Sequence, residues 1–469
     1  MSDLNSTINI SRIVRVVPRN RNIEAILLLF AIGINAFELA QIQLAVIEKL
    51  TPEFFMYWLP LSFSAIIFHM ILRQRASEAD SLILPIAVAI NGLGLSMIYR
   101  LDLGTIANNG ADLFGYKQIA WTAIAMAASA AVVIFVPNHL FLRRYVFVAM
   151  AAGVGLLLLP MVPILGQNIN GAQLWINIFG LTFQPGELAK IALTIFFAGY
   201  LVNRADSLSA VGRTVFGVQI PRARELGPIL VIWAASLLVL VVQRDLGTSL
   251  LYFGLFIVMI YVATGRSIYV IVGVGMFVTG ALVASRIMEY VSGRFESWLN
   301  PFKDPEGVSY QLLQGLFGMA HGGILGTGLG GGLPHLVPLA ESDFIIASIG
   351  EELGLAGLFA LLLLYLLMVA RGMRIGFNHT DDFSRLLAMG LSFVIALQLF
   401  IVFGGVTRVV PLTGLTTPLL AAGGSSLLAN WVIIGLLLRI SDSVKSKNPA
   451  AGVSKPKAGA SLPKAGVRR

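Results

Sequence analysis

The sequence predicts an all-α, polytopic membrane protein with about twelve transmembrane helices. Its 469 residues are 57% hydrophobic and 12% charged, with a mean hydropathy of +0.83. Soluble domains carry about 25% charged residues, so this composition is typical of a protein that lies in a bilayer. The series of apolar runs and the placement of Lys and Arg around them support the same fold class.

Twelve runs are apolar over roughly the 20 residues that a spanning helix needs. They are residues 22–44, 52–72, 82–100, 118–136, 145–165, 186–203, 227–243, 246–264, 268–288, 343–370, 384–405 and 418–438. The sixth and seventh runs are short, which gives the predicted count a margin of one or two.

The basic residues predict how the chain is oriented. With a cytoplasmic N-terminus, most of the 33 Lys and Arg residues fall in cytoplasmic segments. Short cytoplasmic loops attract Lys and Arg, so we expect both termini on that side. The net charge of +9 then reflects orientation and contact with anionic membrane lipids, and no nucleic acid partner is expected. The absence of cysteine excludes a disulfide framework and a thiolate metal site.

The segments outside the spans divide the chain further. Residues 1–21 are basic and lack the apolar stretch of a signal peptide, so the first span is expected to be an uncleaved anchor. Residues 441–469 have the Pro, Ala, Gly and Lys content of a disordered cytoplasmic tail. Residues 289–342 are the longest segment between spans, and this topology places them outside the cytoplasm. Chemistry there cannot draw on ATP and needs an energy-rich substrate.

Several polar motifs interrupt the apolar runs. They are NPFKDPEG (300–307), FQPGELAKIAL (183–193), VVQRDLGTSLL (241–251), ESDFIIASIGEELGLAG (341–357), HGGILGTGLGGGLPH (321–335) and GLTTPLLAAGGSSLLANW (414–431). In the first, Asp-Pro-x-Gly is a common turn signal, and Asp304 is equally suited to act as a general base at the membrane surface. Both interpretations stay open on the residues alone.

The next two motifs each pair an acid with a cation. Glu187 and Lys190 are three residues apart and share one helix face. They predict either an interfacial ion pair whose lysine reaches toward water, or a lysine aimed at a cavity that holds phosphate. Arg244 and Asp245 form either a polar hairpin tip or a second cation site for phosphate or pyrophosphate.

The acidic and glycine-rich motifs are also ambiguous. Glu341 and Asp343 lie at the mouth of a predicted helix, and Glu351 and Glu352 lie two to three turns inside it, where they must face protein or water. Pairing with another helix is the alternative to a functional site. The glycine stretches have no Walker lysine, so neither is a nucleotide loop. Small residues at 423–426 favour close helix packing.

In this order the motifs resemble the SEDS family (shape, elongation, division and sporulation), the membrane glycosyltransferases that polymerise peptidoglycan. The resemblance covers roughly residues 82–440 and runs through GAQLW…FQPGELAKIA, QRDLGTSLL, NPFKDPEGVSYQLLQGLFGMAHGGILGTGLG, ESDFIIASIGEELGLAG and PLTGLTTPLLAAGGSSLLANW. It implies a ten-helix core, with residues 22–72 as two additional helices of a kind associated with actinobacterial members. The GGVTRVVPLTGLTTP wording favours the elongation-type (RodA) branch over the division-type (FtsW) branch.

The resemblance also implies site residues. Asp304 matches the family's essential aspartate and is the predicted catalytic residue. The predicted substrate-binding residues are Glu187, Lys190, Arg244, Asp245, Arg294, Lys303, Tyr310, Gln311, Glu341 and Asp343. Three positions depart from the family pattern: Leu174 replaces an arginine, Arg244 replaces a proline, and Glu341-Ser342 replaces histidine-threonine.

The implied reaction polymerises lipid II at the outer leaflet. A sugar 4-hydroxyl attacks the anomeric carbon of the growing strand with inversion, Asp304 accepts the proton, and undecaprenyl pyrophosphate leaves. A divalent cation, Mg²⁺ or Mn²⁺, and the side chain of Lys190 would stabilise the departing charge, with Arg244, Arg294 and Lys303 as further cations. No nucleotide is expected. The expected partner is a class B penicillin-binding protein, a single-span transpeptidase.

Two other classes of function fit the same composition. A lipid II flippase or transporter also has many spans and intramembrane charges, but its critical charges would lie near the midplane. The motifs here cluster at the outer ends of helices instead. A non-catalytic scaffold of the wall-synthesis complex would tolerate substitution of Asp304. A division-type polymerase is the alternative within the family.

Overall fold

A computed structural model describes residues 19–107, 113–163, 165–169, 172–178, 181–209 and 243–446, with a few further positions between 214 and 238. The helices of these residues are α1 (Arg19–Val46), α2 (Glu53–Arg75), α3 (Ile83–Ala107), α4 (Gly115–Phe135), α5 (Val146–Leu158), α6 (Pro185–Ser209), α7 (Leu246–Thr264), α8 (Ile268–Ile287), α9 (Glu289–Leu299), α10 (Tyr310–Gly322), α11 (Ile345–Phe377), α12 (Asp382–Val406) and α13 (Gly424–Ser446).

The predicted membrane-spanning architecture is confirmed. Within the described residues, 11 helical stretches are long and apolar enough to cross a membrane. They coincide with eleven of the twelve predicted runs. The predicted span at 227–243 lies outside the described residues, as do residues 1–18 and 447–469 of the predicted terminal segments.

Two small antiparallel sheets were not predicted. Strands β1 (Gly166–Ile169), β2 (Ala172–Ile178) and β3 (Leu181–Phe183) form one sheet between α5 and α6, with Ile176 opposite Gly166 and Phe183. Strands β4 (Thr214–Val215) and β5 (Val218–Gln219) form the other. The alternation in the QLWINI stretch and the Asn170-Gly171 dipeptide are hairpin signals that could have identified the first sheet.

Helix α3 lies at the centre of the bundle. It is buried along almost its whole length and packs against α1 on one side and α11 on another. The helices α5 and α8, in contrast, expose most of their apolar surface. In a bilayer such surfaces face lipid, because lipid tails solvate apolar side chains as well as a protein core does.

The chain between α12 and α13 is irregular yet buried. The last span was predicted to begin at 418, but α13 begins at Gly424, because Pro418 has no N–H and Leu419 adopts a φ of +64°. Side chains satisfy the carbonyl groups of this segment, as non-helical backbone at membrane depth requires. They donate as follows: Gln398 to Thr416 (2.9 Å), Asn91 to Leu419 (3.2 Å), Gln118 to Ala421 (3.1 Å), and Tyr365 to Pro418.

The predicted close packing of small residues is confirmed at the start of α13. A Cβ atom built on Gly424 would lie 2.2 Å from the indole ring of Trp121 on α4. No side chain fits in that space, so glycine lets the two helices approach.

The segment from 288 to 344, which we call the long loop, joins α8 to α11 and contains α9 and α10. It docks on a break in α11 at Gly354, where φ is +66°. The N–H groups of Thr327 and Gly328 donate to the carbonyls of Glu351 (3.0 Å) and Glu352 (2.9 Å). These bonds satisfy carbonyls that the break would otherwise leave without partners.

Candidate active site

Asp304 ends a short 3-10 turn (Pro301–Lys303) in the long loop, and its side chain is exposed. Its carboxylate accepts the N–H of Val308 at 3.0 Å. A Cβ atom on Gly307 would lie 2.2 Å from the same carboxylate, so glycine is what allows the carboxylate to fold over its own turn. The turn interpretation of this motif is therefore correct, and it leaves the carboxylate accessible to a substrate.

A cavity of about 370 Å³ adjoins this turn. Its lining residues are Leu299, Asn300, Pro301, Phe302, Lys303 and Arg408. Lys303 forms an exposed ion pair with Glu296. The cavity therefore brings two cations together beside the 3-10 turn that Asp304 ends.

Arg408 is a site candidate that the sequence prediction did not include. Its guanidinium donates to the carbonyls of Trp298 (2.7 Å) and Leu299 (2.9 Å), and the Trp298 indole donates back to the Arg408 carbonyl at 3.1 Å. These bonds fasten α9 to the chain that follows α12. A signal was present in the sequence, since Arg408 is a lone charge immediately after an apolar run.

Three predicted residues, Asp245, Glu341 and Asp343, lie around a fourth, Arg294. Its guanidinium donates to the Leu412 carbonyl at 2.8 Å. A Cβ atom on Gly414 would lie 3.6 Å from the Arg294 guanidinium and 3.7 Å from the Asp343 carboxylate, so both side chains line the same space. Asp245 lies within electrostatic range of Arg294, and Glu341 lies within range of Asp343.

Burial governs the acidity of this Arg294 cluster. It raises the pKa of Asp343 to about 6, with Arg294 opposing the increase and Glu341 adding to it. It also raises the pKa of Asp245, again opposed by Arg294, and that of Glu341. A cation among three carboxyl groups whose charged forms are disfavoured is typical of functional sites.

Arg244 and Asp245 form the start of α7. The Asp245 carboxylate accepts the N–H of Thr248 at 2.9 Å and so caps the helix. Arg244 adopts a φ of +55°. The motif therefore forms the capped start of α7, while Asp245 also contributes to the Arg294 cluster.

Glu187 and Lys190 form an ion pair of 2.6 Å, but the pair is buried, with side-chain exposures of 6% and 1%. The prediction that the lysine reaches toward water is wrong. The helix face that carries both residues is turned toward α12, where Gln398 accepts a bond from Lys190 at 2.9 Å. Gln398 in turn donates to the Thr416 carbonyl, which connects the pair to the irregular segment before α13.

Among the described residues, Asp304 makes no direct polar bond to the other predicted groups. In the described part of the chain, no hydrogen bond or ion pair joins Asp304 to the Glu187–Lys190 pair or to Arg294. Tyr310 is exposed at the first turn of α10. Gln311, one residue later, donates to the Pro338 carbonyl at 3.0 Å and ties α10 to the end of the long loop.

The interpretation of Glu351 and Glu352 as helix-pairing residues is confirmed for Glu352. The Arg100 guanidinium of α3 donates to Glu352 at 2.8 Å, and both side chains are buried. Sequence reasoning did not connect these two residues, although each is an ionisable group in an apolar run that needs a partner.

Among the described residues, no group of three or more His, Asp or Glu side chains could hold a metal ion.

Comparison with known proteins places this architecture among characterised relatives. A family model described as cell cycle protein, for FtsW, RodA and SpoVE, matches residues 80–446. Peptidoglycan glycosyltransferase RodA of Mycobacterium tuberculosis is 44% identical over 438 residues, which are 92% of this chain and 92% of that protein.

Solved structures show the same fold. A chain from a peptidoglycan synthase complex that coordinates polymerization and crosslinking aligns with a TM-score of 0.60 and 25% identity, covering 78% of this chain and 98% of its own length. Rod shape determining protein RodA of Thermus thermophilus aligns with a TM-score of 0.51 and 24% identity, covering 77% and 96%.

Proposed function

The chain belongs to the FtsW, RodA and SpoVE family of cell cycle proteins, and from that premise we propose that it is a peptidoglycan glycosyltransferase of the elongation type. Its substrate in this proposal is lipid II, which it polymerises into glycan strands at the outer face of the cytoplasmic membrane. The observation that carries the proposal is the extent of the similarity to the mycobacterial enzyme, which covers 92% of both chains and so extends beyond the residues 80–446 that the family model matches.

The proposed reaction uses Asp304 as the general base. The carboxylate accepts the proton of the 4-hydroxyl group of one lipid II molecule. The oxygen then forms a bond to the anomeric carbon of the growing strand as the bond from that carbon to the pyrophosphate breaks. Undecaprenyl pyrophosphate leaves with the bonding electrons, and attack from the opposite face inverts the anomeric centre. A positioned base of this kind contributes about 10²–10⁴-fold to a rate.

The charge that develops on the pyrophosphate requires cations. Lys303 and Arg408 line the cavity beside Asp304, which supports a role for both in binding the pyrophosphate. Fixed donors aimed at developing charge are among the largest contributions to catalysis. Lys190 and Arg294 are deeper in the protein and are proposed to act on more distant parts of the substrate. The predicted Mg²⁺ or Mn²⁺ remains a prediction and has no step here.

The orientation follows from the distribution of basic residues. Both termini are proposed to be cytoplasmic, and the long loop and the Arg294 cluster extracytoplasmic. The position of the predicted site residues supports this proposal, since Arg294 and Asp343 belong to the long loop and Asp245, at the start of α7, lies within electrostatic range of Arg294. Lipid II, once delivered to that face, supplies the energy in its sugar–pyrophosphate bond.

The partner is proposed to be a class B penicillin-binding protein. The similar synthase complex coordinates polymerization with crosslinking, and crosslinking is the chemistry of a transpeptidase. Glycan strands made at the membrane surface would pass directly to that second activity.

One reconstitution separates the candidate functions. The full-length protein, purified with its transpeptidase partner, is mixed with lipid II in detergent, with Mg²⁺ in one arm and a chelator in the other. We expect glycan chains and released undecaprenyl pyrophosphate. In a second preparation the same complex is inserted into vesicles, and movement of lipid II across their membranes without chain formation would indicate a flippase instead. Neither product nor transport, with the partner complex intact, would indicate a scaffold.

A further inference from the structure

Helices α1 and α2 lie outside the family-matched region, which begins at residue 80, yet they contact the long loop. Leu39 and Ile42 of α1 and Tyr57 of α2 form a cluster with Tyr99 of α3. Leu329 of the long loop packs into this cluster. The N-terminal hairpin, defined as residues 19–75, therefore forms part of the surface on which the long loop rests.

The contact continues at the next residue, where backbone meets helix. Gly330 has a φ of +87°, and a Cβ atom built on it would lie 2.7 Å from the Cβ of Ala45 and 3.1 Å from Val46. No side chain fits at 330 while α1 stays in place. Residues 329–333, which we call the glycine strap, thus contact the hairpin through the Leu329 side chain and the Gly330 backbone.

Buried charges hold the opposite side of the glycine strap. The N–H groups of Gly330 and Leu333 donate to the carboxylates of Glu352 (2.9 Å) and Glu351 (2.8 Å). Arg100 donates to Glu352 at 2.8 Å and to the Gly332 carbonyl at 2.7 Å. The strap is therefore fixed between α11 and α3 on one side and α1 on the other.

The hairpin is itself anchored to the core at this level. Gln43 donates to the Tyr99 hydroxyl at 2.8 Å. Tyr57 forms a hydrogen bond with Asp102, whose carboxylate also accepts the N–H of Gly115 at 2.8 Å. These polar contacts within an apolar surrounding give the hairpin one orientation relative to α3.

The glycine strap leads directly to both groups of predicted site residues. Gln311 donates to the Pro338 carbonyl, which couples residues after the strap to α10 and so to the turn that carries Asp304. A few residues further, Ala422 donates to the Glu341 carbonyl at 2.7 Å, and Asp343 follows at the Arg294 cluster. A displacement of the strap would therefore be transmitted to the candidate base and to the acidic cluster.

We propose that the N-terminal hairpin is a positioning element of the glycosyltransferase, which acts by holding the glycine strap through Ile42 and Ala45. This inference rests on the proposed function, because it concerns the rate of that reaction. The hairpin contacts no reacting atom and acts through the long loop. Ala45 of the hairpin and Gly330 of the strap are the two contacting residues that can be tested by adding or removing a single methyl group.

The test compares Gly330→Ala with Gly328→Ala in the full-length protein. Both glycines have nearly the same φ, +87° and +88°, so both variants bear the same cost of a left-handed alanine. Only at 330 does the new methyl group meet α1, because Gly328 has open space around it. Ala45→Gly in the Gly330→Ala background removes the methyl group that the new side chain meets.

Two readouts are made on each variant: hydrogen exchange at the Leu333 amide, and kcat and KM for lipid II polymerisation. We expect Gly330→Ala to exchange Leu333 faster and to lower kcat by about tenfold or more, since a misplacement of about 1 Å costs up to about 100-fold. Gly328→Ala should stay near wild type in both. Ala45→Gly added to Gly330→Ala should restore both readouts most of the way.

Three results would overturn the proposal. Equal effects of Gly328→Ala and Gly330→Ala would attribute the loss to backbone strain and not to the hairpin. Faster exchange without a lower kcat would show that the strap does not position the reaction. The wild type could make no glycan while hydrogen exchange at Leu333 still responds to Ala45→Gly in the Gly330→Ala background. That result would refute the proposed function and with it the positioning role, although the contact between strap and hairpin would stand.

Discussion

At the scale of single residues, the side chain of Asp304 both forms part of a turn and is the proposed catalytic base. The Val308 N–H orients the carboxylate, and Gly307 leaves it room. The other face of the carboxylate is open to solvent. A sequence motif that is common in turns can therefore hold a base in a defined direction, which is what general base catalysis requires.

Gly307→Ala should lower glycan polymerisation by about 10- to 100-fold, because the added methyl group would lie 2.2 Å from the Asp304 carboxylate and push it off the Val308 N–H. The rate of chain formation measures this effect. Gly293→Ala is the matched control, since its methyl group would meet only Val308 at an ordinary 3.6 Å. Equal rates of chain formation for Gly307→Ala and Gly293→Ala would show that the orientation of Asp304 does not affect catalysis.

Asp343 should make thermal stability depend on pH. Burial raises its pKa from 3.8 to about 6, so its contribution to stability is full below about pH 4 and is lost as the pH rises through 6. Asp343→Asn cannot ionise and should match wild type below pH 4. Above pH 7 it should be more stable, by about 3 kcal/mol. Melting temperatures of both proteins from pH 4 to 8 provide the measurement, and a difference that does not vary with pH would contradict the assignment.

At the scale of elements, the ion pair between Glu187 and Lys190 illustrates what a spacing can and cannot predict. The three-residue separation correctly placed both groups on one face of α6. The direction of that face depends on α12, which follows about 200 residues later and supplies Gln398. No local pattern contains that information, so the lysine was predicted to reach water when it is buried.

Lys190→Met should destabilise the protein by about 3–5 kcal/mol, because it leaves the Glu187 carboxylate buried without a cation. Glu187→Gln combined with Lys190→Met removes both charges and should recover most of that stability. Polymerisation should stay low in the double variant if Lys190 binds substrate. Melting temperature and chain synthesis are measured together, and full activity of the double variant would make the pair purely structural.

Other elements show the same boundary between local and distant information. Apolar length alone predicted the eleven described spans to within a few residues at most ends. It placed the start of α13 too early, since the segment from 411 to 423 is as apolar as a helix but its carbonyls are satisfied by side chains from four other helices. The sheet at 166–183 was not predicted, because its strands are much shorter than the apolar runs that predict spans.

At the scale of the whole molecule, the sequence could not predict which polar groups meet. Arg100 and Glu352 are 252 positions apart and form one buried pair. Asp245, Glu341 and Asp343 lie around Arg294, while no hydrogen bond or ion pair of the described residues joins Asp304 or the Glu187–Lys190 pair to them. The family pattern names such residues without giving their arrangement, which comes from the packing of helices around α3.

In that arrangement, different parts of the molecule have different proposed roles. The long loop carries the candidate base, the break in α11 receives the loop, and the N-terminal hairpin supports its glycine strap. The long loop is therefore the proposed place of lipid II polymerisation.

The most direct test is the rate of lipid II polymerisation by Asp304→Asn beside Glu306→Gln, each purified as the full-length protein with its transpeptidase partner. The asparagine can still accept the Val308 N–H but cannot take a proton, and Glu306 is an exposed acid two residues away. We predict that Asp304→Asn loses at least about 100-fold in rate with an unchanged melting temperature, and that Glu306→Gln polymerises like wild type. Equal rates for the two variants would contradict the claim that Asp304 is the catalytic base.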